Sequence, residues 1–435
     1  MSARDRGEAI LRRFAESSAT ERLLISLAAL ALSILVGAVI VLAAGRTATC
    51  ARPAVTYVGV GFCYDPAAVY DRLFLGALGN PINPYFDPLH GQFAPPIQTG
   101  WSPFNAQMAR TLAETTVLLF TGLSVAVAFR AGIFNIGTQG QLVVGGLAST
   151  VAMLAVSPHL SGAVGTLVVL PLGLLVGALF GGLYGAIPGA LKAYADSNEV
   201  ITTIMLNFVA SLVALYLVRT YFQDPDAVAT KTATLPAFAS FPTVAFDPRT
   251  PFSLLALGLG VVLGVGVYLM LERTSFGFDL RTSGIQPEAA EYGGVNAKRT
   301  VVSSMALSGA LGGLGGTVYV LLYFGYFGAS VPSYGFDGIT VSILAGNNPL
   351  GVLPAAFLFG VLKNGALSVQ ATNVPPELVD VLRGLIILFV AMPEFFRLVG
   401  RRVTAAGGRS GRTVATDGGT AVEGDGGDDG GDRGE

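Results

Sequence analysis

Runs of about twenty apolar residues recur along this chain, separated by short polar stretches, and they restrict its fold more than any other feature. Crossing a hydrocarbon layer of ~30 Å as helix takes roughly 20 apolar residues, and only helices and closed barrels satisfy every backbone polar group there. The first run, Leu23–Ala44, carries no charge and follows Arg4, Arg6, Arg12, Arg13 and Arg22. It exceeds the ~7–15-residue core of a cleavable leader, so it reads as a retained span with its N-terminus inside. Further spans are expected at Gln107–Phe129, Ile133–Val156, Gly162–Leu191, Val200–Tyr221, Ser253–Leu271, Thr300–Phe324, Phe336–Ala345, Leu350–Ser368 and Glu377–Phe396.

Ten crossings bring the C-terminus back inside. Arg130, Lys192, Arg273, Arg281, Lys298, Arg299, Arg397, Arg401 and Arg402 then all fall on the cytoplasmic side, where basic loop residues concentrate. The external loop Gln223–Pro251 departs from this bias, with Lys231 and Arg249 among Asp224, Asp226 and Asp247. Phe336–Ala345 is too short to cross alone before Gly346-Asn347-Asn348-Pro349, so a half-helix there would make the count nine. With 52% hydrophobic and 12% charged residues the chain is too apolar for a soluble domain. The expected fold is all-α, a polytopic transmembrane bundle of about ten spans with glycine-rich packing. Its parts are a cytoplasmic segment 1–22, a first span 23–44, an external loop 45–105, a permease domain 106–397 with a cytoplasmic loop 273–299, and a tail 398–435. That tail is Gly-rich, carries Asp417, Glu423, Asp425, Asp428, Asp429, Asp432 and Glu435, and has too little apolar surface to fold.

Both cysteines, Cys50 and Cys63, fall in the external segment, where a disulfide or two free thiols are equally open. Gly173, Gly177, Gly181, Gly185 and Gly189 recur every fourth residue and make one stripe for close helix approach. Gly309, Gly312, Gly313, Gly315 and Gly316 make a second.

Polar residues inside the spans are the candidate site, because a group left unsatisfied there is costly. The string Phe134-Asn135-Ile136-Gly137-Thr138-Gln139-Gly140-Gln141 suggests a broken or late-starting helix that aims amides at a cavity. Uncharged amides suit a neutral polar solute such as a sugar or nucleoside. Asn135, Gln139, Gln141 and Asn207 are the expected path residues; ties between helices are the equal alternative. Asp196 and Ser197 are expected to cap the helix that carries Asn207. Asp337 is expected as a cap of its short helix.

The strings GIFNIGTQGQLVVGG, NEVITTIMLNFVA, PEAAEYGGVNAKRTVVSSMALSGALGGLGG and GYFGASVPSYGFDGITVSILAGNNPLG resemble the inner-membrane permeases of ABC importers for nucleosides and simple sugars. These belong to the larger permease group that also serves ribose and branched-chain amino acids, and the likeness covers about Gln107–Phe396. It implies an arrangement similar to the vitamin B12 transporter class, with three protein partners: a cytoplasmic ABC ATPase, a second homologous permease and an external solute-binding lipoprotein. Glu288, Ala289, Ala290 and Gly294 match the group's coupling loop, which implies docking on the ATPase. The expected location is the cytoplasmic membrane.

The chain itself reads as non-catalytic. Lys192, Lys231, Lys298 and Lys363 all lack a phosphate-binding glycine loop, and His90 and His159 are too far apart to argue a metal site. No cofactor and no nucleic acid are expected. The alternative is an ion-gradient-driven secondary transporter, which needs ionisable groups within the bilayer. Glu114 with Arg110 and Asp380 with Arg383 read as local ion pairs, while Lys363, well inside its span, must pair internally or snorkel.

Overall fold

Bilayer-length apolar runs fold as helices because each run satisfies its own backbone, and the computed structural model of the chain is built from them. It describes residues 19–57, 59–81, 101–370 and 374–391. The expected segment 398–435, most of 1–22 and the stretch 82–100 of the external loop lie outside the described residues. The compact body is Ala29–Ala391; of the remaining unit only Ala19–Ala28 is described, as helix.

Helix α1 is Ala19–Thr47. A two-stranded antiparallel hairpin follows, β1 (Val55–Tyr57) and β2 (Val60–Phe62), then a short helix α2 (Pro66–Phe74). The hairpin is fastened to the end of α1 by a Cys50–Cys63 disulfide, which settles the pairing that the sequence leaves open. Asp65 caps α2 by accepting from the Ala67 N–H, with Pro66 at its first turn.

The central helices are α3 (Ala106–Arg130), α4 (Thr138–Val156) and α10 (Ala297–Tyr323). Every residue of α3 from 115 to 128 is buried, a pattern that only a helix surrounded on all sides can have. Around them lie α5 (Gly162–Ala195), α6 (Glu199–Leu217) and α7 (Leu254–Arg273). Leu167, Leu175 and Leu183 on α5 and Phe208 and Leu212 on α6 are exposed, as side chains facing lipid are. Between α7 and α10 run two short helices, α8 (Ser275–Ile285) and α9 (Pro287–Tyr292). The chain closes with α11 (Tyr334–Leu344), α12 (Pro349–Gln370) and α13 (Pro376–Ala391). Leu73 of α2, Leu362 of α12 and Leu382 of α13 share a smaller core with Val41 of α1.

Among the described residues eight helices are long and apolar enough to cross a membrane. Of the ten expected spans, the other two are α11, 11 residues long, and α13, described over 16 residues. At 1.5 Å per residue α11 covers about 16 Å, half of the hydrocarbon layer. The molecule is a polytopic helical membrane protein.

The glycine stripe of α5 packs on the glycines of α10. A Cβ added at Gly181 would stand 2.5 Å from the Gly309 carbonyl oxygen, and one at Gly185 would stand 2.5 Å from the Met305 carbonyl oxygen. The backbones therefore touch, and dispersion between them replaces the hydrophobic drive that lipid cannot supply. One expected cap is corrected: Asn198, not Asp196 or Ser197, accepts from Val200 and Ile201 N–H at the start of α6, while Asp196 ends α5 in the left-handed region at φ 49°. The reason is reach, since a residue that leaves one helix at positive φ cannot also present its side chain to the next helix's first turn.

Gly181→Val is expected to reduce the yield of folded, monodisperse protein in detergent several-fold, whereas Gly258→Val, with no neighbour within 4 Å of the added carbon, leaves it unchanged. Equal yields for the two would remove the α5–α10 contact from the account of the fold.

Candidate functional site

Three groups of polar residues interrupt the apolar bundle, and each is held by different elements. The first surrounds the start of α4, which begins only at Thr138 after a buried, non-helical stretch. Asn135 is fully buried; its Nδ2 donates to Gln141 Oε1 at 3.1 Å and to Ser308 Oγ at 2.8 Å. Its Oδ1 accepts from the Gly137 N–H at 2.9 Å, which lets the chain turn into the helix. Asn207 on α6 accepts from the Gly140 N–H at 2.7 Å and donates to the Ile136 carbonyl at 3.0 Å. Gln139 donates to the Pro332 carbonyl at 2.9 Å and accepts from the Gly335 N–H at 2.8 Å.

All four amides are thus buried, and their donors and acceptors are spent on protein partners. In this conformation they tie helices together, for a physical reason. The late start of α4 leaves backbone groups at Ile136, Gly137 and Gly140 with no helical partner, and side-chain amides complete them. Gln139 does the same for the first turn of α11, where Gly335 lies too close to the α4 backbone for any side chain.

The second group is exposed. Helix α9 carries Glu288, Ala289, Glu291 and Tyr292 on the surface, with Ile285 and Phe278 of α8 beside them; Tyr292 is 95% and Ile285 86% exposed. Only Ala290 turns inward, and Gly294 leaves the helix at φ 85°, a conformation that favours glycine. Behind this surface stands a brace. Glu272 on α7 binds Arg281 on α8 at 2.9 Å and meets Arg130, at the end of α3, at 3.9 Å. Arg130 Nε donates to the Asn347 carbonyl between α11 and α12 at 2.9 Å. Gly132, at φ 70°, lies against Gly284 of α8 so closely that an added Cβ would stand 2.5 Å from its carbonyl oxygen.

The third group lies in the spans and was only partly legible. Glu114 does not pair with Arg110. Its Oε1 accepts from Tyr323 Oη at 2.8 Å and from Tyr334 Oη at 2.9 Å, and Lys363 Nζ lies 3.5 Å from its Oε2. Lys363 also donates to Asp337 Oδ2 at 3.0 Å and sits 3.5 Å from the centre of the Tyr334 ring. Asp337 is therefore the partner of Lys363 and not a cap, and Lys363 pairs internally instead of snorkelling. The i,i+4 rule that suggests Arg110 weighs only neighbours on one helix. Here the pairing runs between helices, because α12 brings one lysine within reach of both Glu114 and Asp337. Asp380 and Arg383 do form their local pair, at 3.3 Å.

Comparison with known proteins follows this geometry closely. Residues 107–391 match the family described as branched-chain amino acid transport system / permease component. The nucleoside ABC transporter permease protein NupB of Lactococcus lactis is 33% identical over 380 residues, covering 86% of this chain and 92% of its own. The guanosine ABC transporter permease protein NupP of Bacillus subtilis is 35% identical over 297 residues, 67% of this chain and 83% of its own. The glucose ABC transporter permease protein TsgB13 of Haloferax volcanii is 32% identical over 312 residues, 69% and 80% respectively.

Asn135→Ala leaves Ser308, Gln141 and the Gly137 N–H without a shared partner, at a cost of about 1–3 kcal/mol. The variant is expected to unfold at lower temperature in detergent while its KM for transported solute stays at the wild-type value. A raised KM with unchanged unfolding temperature would return Asn135 to the path.

Proposed function

The chain belongs to the branched-chain amino acid transport system / permease component family, and on that premise we propose that it is the permease subunit of an ATP-driven importer of nucleosides. The observation that carries this reading is the exposed α8–α9 helix pair. A short helix that buries only Ala290 and presents Glu288, Glu291 and Tyr292 has the build of a surface made for another protein. Its position between two spanning helices makes it a handle on the bundle.

In this reading Glu288, Ala289, Ala290 and Gly294 dock on a cytoplasmic ABC ATPase. The N- and C-termini then share that side of the cell membrane, as the basic flanks Arg130, Arg273, Arg281, Lys298 and Arg299 suggest. A second homologous permease completes the path, and an external lipoprotein delivers the solute to the opposite face, where the disulfide-fastened hairpin lies. Nucleosides are favoured over sugars because the relatives matched at 33% and 35% identity carry nucleoside and guanosine in their names, the first over most of both chains.

The brace gives the docked helices leverage. A push on α8 is felt by Glu272, by Arg130 and by the Asn347 carbonyl at the end of α11, through contacts of 2.9–3.9 Å. Closure of the ATPase would move α11 without any need to unfold the amide ties around α4. The alternative, coupling to an ion gradient, draws its support from the ionisable groups in the spans. Glu114, Asp337 and Lys363 hold one another in ion pairs of 3.0–3.5 Å, with Lys363 already seated where a carried cation would bind.

Glu288→Arg is expected to abolish nucleoside uptake while the membrane level of the protein stays unchanged. Uptake by inside-out-controlled vesicles should stop when ATP is removed and the ion gradient kept; uptake that survives on the gradient alone overturns the importer. Arg130→Gln is expected to leave ATP hydrolysis by the assembled transporter within about twofold of wild type and to lower uptake at least tenfold. Parallel loss of both would assign Arg130 to folding alone.

A further inference from the structure

The Glu114–Asp337–Lys363 cluster sits where a charge has no structural need to be. Glu114 is 16 residues from the Arg130 end of α3, about 24 Å along its axis, and eight residues from the other end, about 12 Å. The first turn of the half-length helix α11 brings Asp337 to the same depth, and α12 brings Lys363. Charged side chains in spans are costly and face a bundle interior or a water-filled cavity. These three are not sealed in the interior: their side chains are 13%, 28% and 21% exposed. Exposure to hydrocarbon would be the costliest arrangement of all, and water is the medium that suits such a face.

The walls around them are aromatic. The Tyr334 ring stands 5.4 Å from Tyr319, and Tyr319 stands 5.9 Å from Phe324. Tyr319 and Tyr334 are themselves buried; the exposed rings are Phe324, next to Tyr323 in the chain, at 47%, and Phe336, next to Asp337, at 42%. A cavity of about 250 Å³, lined by Tyr323 and Phe324 of this wall together with the loop Thr234–Ser240, opens next to it. One acceptor, Glu114 Oε2, is buried and has no hydrogen-bond partner, since Lys363 lies 3.5 Å away and gives its short bond to Asp337.

We propose that Glu114, Asp337 and Lys363, with the exposed rings of Phe324 and Phe336, form a nucleoside-binding site within the path. The assignment rests on the importer reading above. The chemistry matches in two parts. A nucleobase is a flat, neutral ring that stacks on exposed aromatic faces. A ribose presents vicinal hydroxyls that both donate and accept, which is what a carboxylate beside an ammonium offers. The site carries two carboxylates against one lysine, so it repels anions and admits nucleosides while rejecting nucleotides. The ion pair loses nothing when the site is empty, because Lys363 and Asp337 then satisfy each other.

The bridged Cys50–Cys63 pair leaves no free thiol in this chain, so an added cysteine is labelled on this subunit at one position. Phe336→Cys in the assembled transporter, in membranes, is treated with a charged, water-soluble thiosulfonate reagent, alone and with millimolar guanosine, guanosine monophosphate or glucose. Labelling that guanosine slows at least fivefold, and the monophosphate does not, is the expected result. No labelling, labelling that guanosine leaves unchanged, or protection by glucose alone overturns the proposal. Lys363→Gln is expected to raise the KM for guanosine uptake about tenfold or more. Lys363→Asp combined with Asp337→Lys should restore the membrane level but not the KM; full restoration of wild-type KM would make the cluster a structural pair and overturn the site. Loss of ATP dependence in the wild-type protein would overturn the importer reading instead, whatever the labelling pattern.

Discussion

Lipid accepts no hydrogen bonds, and most of this structure follows from that. Every polar group inside the bundle must find its partner within the chain, because no solvent is there to take its place. Regular helices meet the requirement by themselves. The departures do not, and each departure is matched by a side chain placed to complete it. Asn135 and Asn207 complete the backbone ahead of α4, and Gln139 completes the first turn of α11. Ser124 and Ser308 exchange hydroxyl-to-carbonyl bonds of 2.7 and 2.6 Å where α3 crosses α10.

The same requirement explains why the fold was largely legible in the sequence and the site much less so. Spans such as Leu23–Ala44 and Thr300–Phe324 announce themselves because a bilayer demands a continuous apolar run, and observed helices start and stop within a few residues of them. The glycine stripe was legible because a four-residue period can only mean one helix face. Partners across helices leave no such trace. Glu114 lies 209 residues from Tyr323 and 220 from Tyr334, and nothing in the spacing links it to Lys363 instead of Arg110. The amides fall between these cases. Their presence in an apolar run marks them as purposeful, yet an amide that completes a neighbouring backbone and one that meets a solute look alike as letters. Charge inside a span is the sharper signal, since a carboxylate is more than a backbone N–H requires.

Helix α11 is where these threads meet. Being half the length of a span, it cannot be anchored by both membrane surfaces and depends on its ends. At one end Asp337 is held by Lys363, and Gly335 is pressed onto α4 and bonded to Gln139. At the other the Asn347 carbonyl is held by Arg130, which reaches Glu272 and through it Arg281 of α8. A helix fixed in this way is stiff along its axis and yields at its ends.

Such an element divides the protein's tasks between two kinds of bond. The neutral amide bonds at the start of α4 are short, buried and mutually satisfied, so breaking one exposes several orphaned groups at once and the wall they hold is rigid. The ionic contacts at the two ends of α11 are partly exposed, at 2.9–3.9 Å, and Lys363 and Glu272 each have two charged partners. Lys363 lies within reach of both Asp337 and Glu114, and Glu272 within reach of both Arg281 and Arg130. Rearrangement is therefore cheapest at the two ends of α11, the brace behind α8 and the charged cluster at its head. Helix α11 itself joins the two, so a displacement at one end reaches the other through the helix, beside an amide-tied frame that has no slack to share.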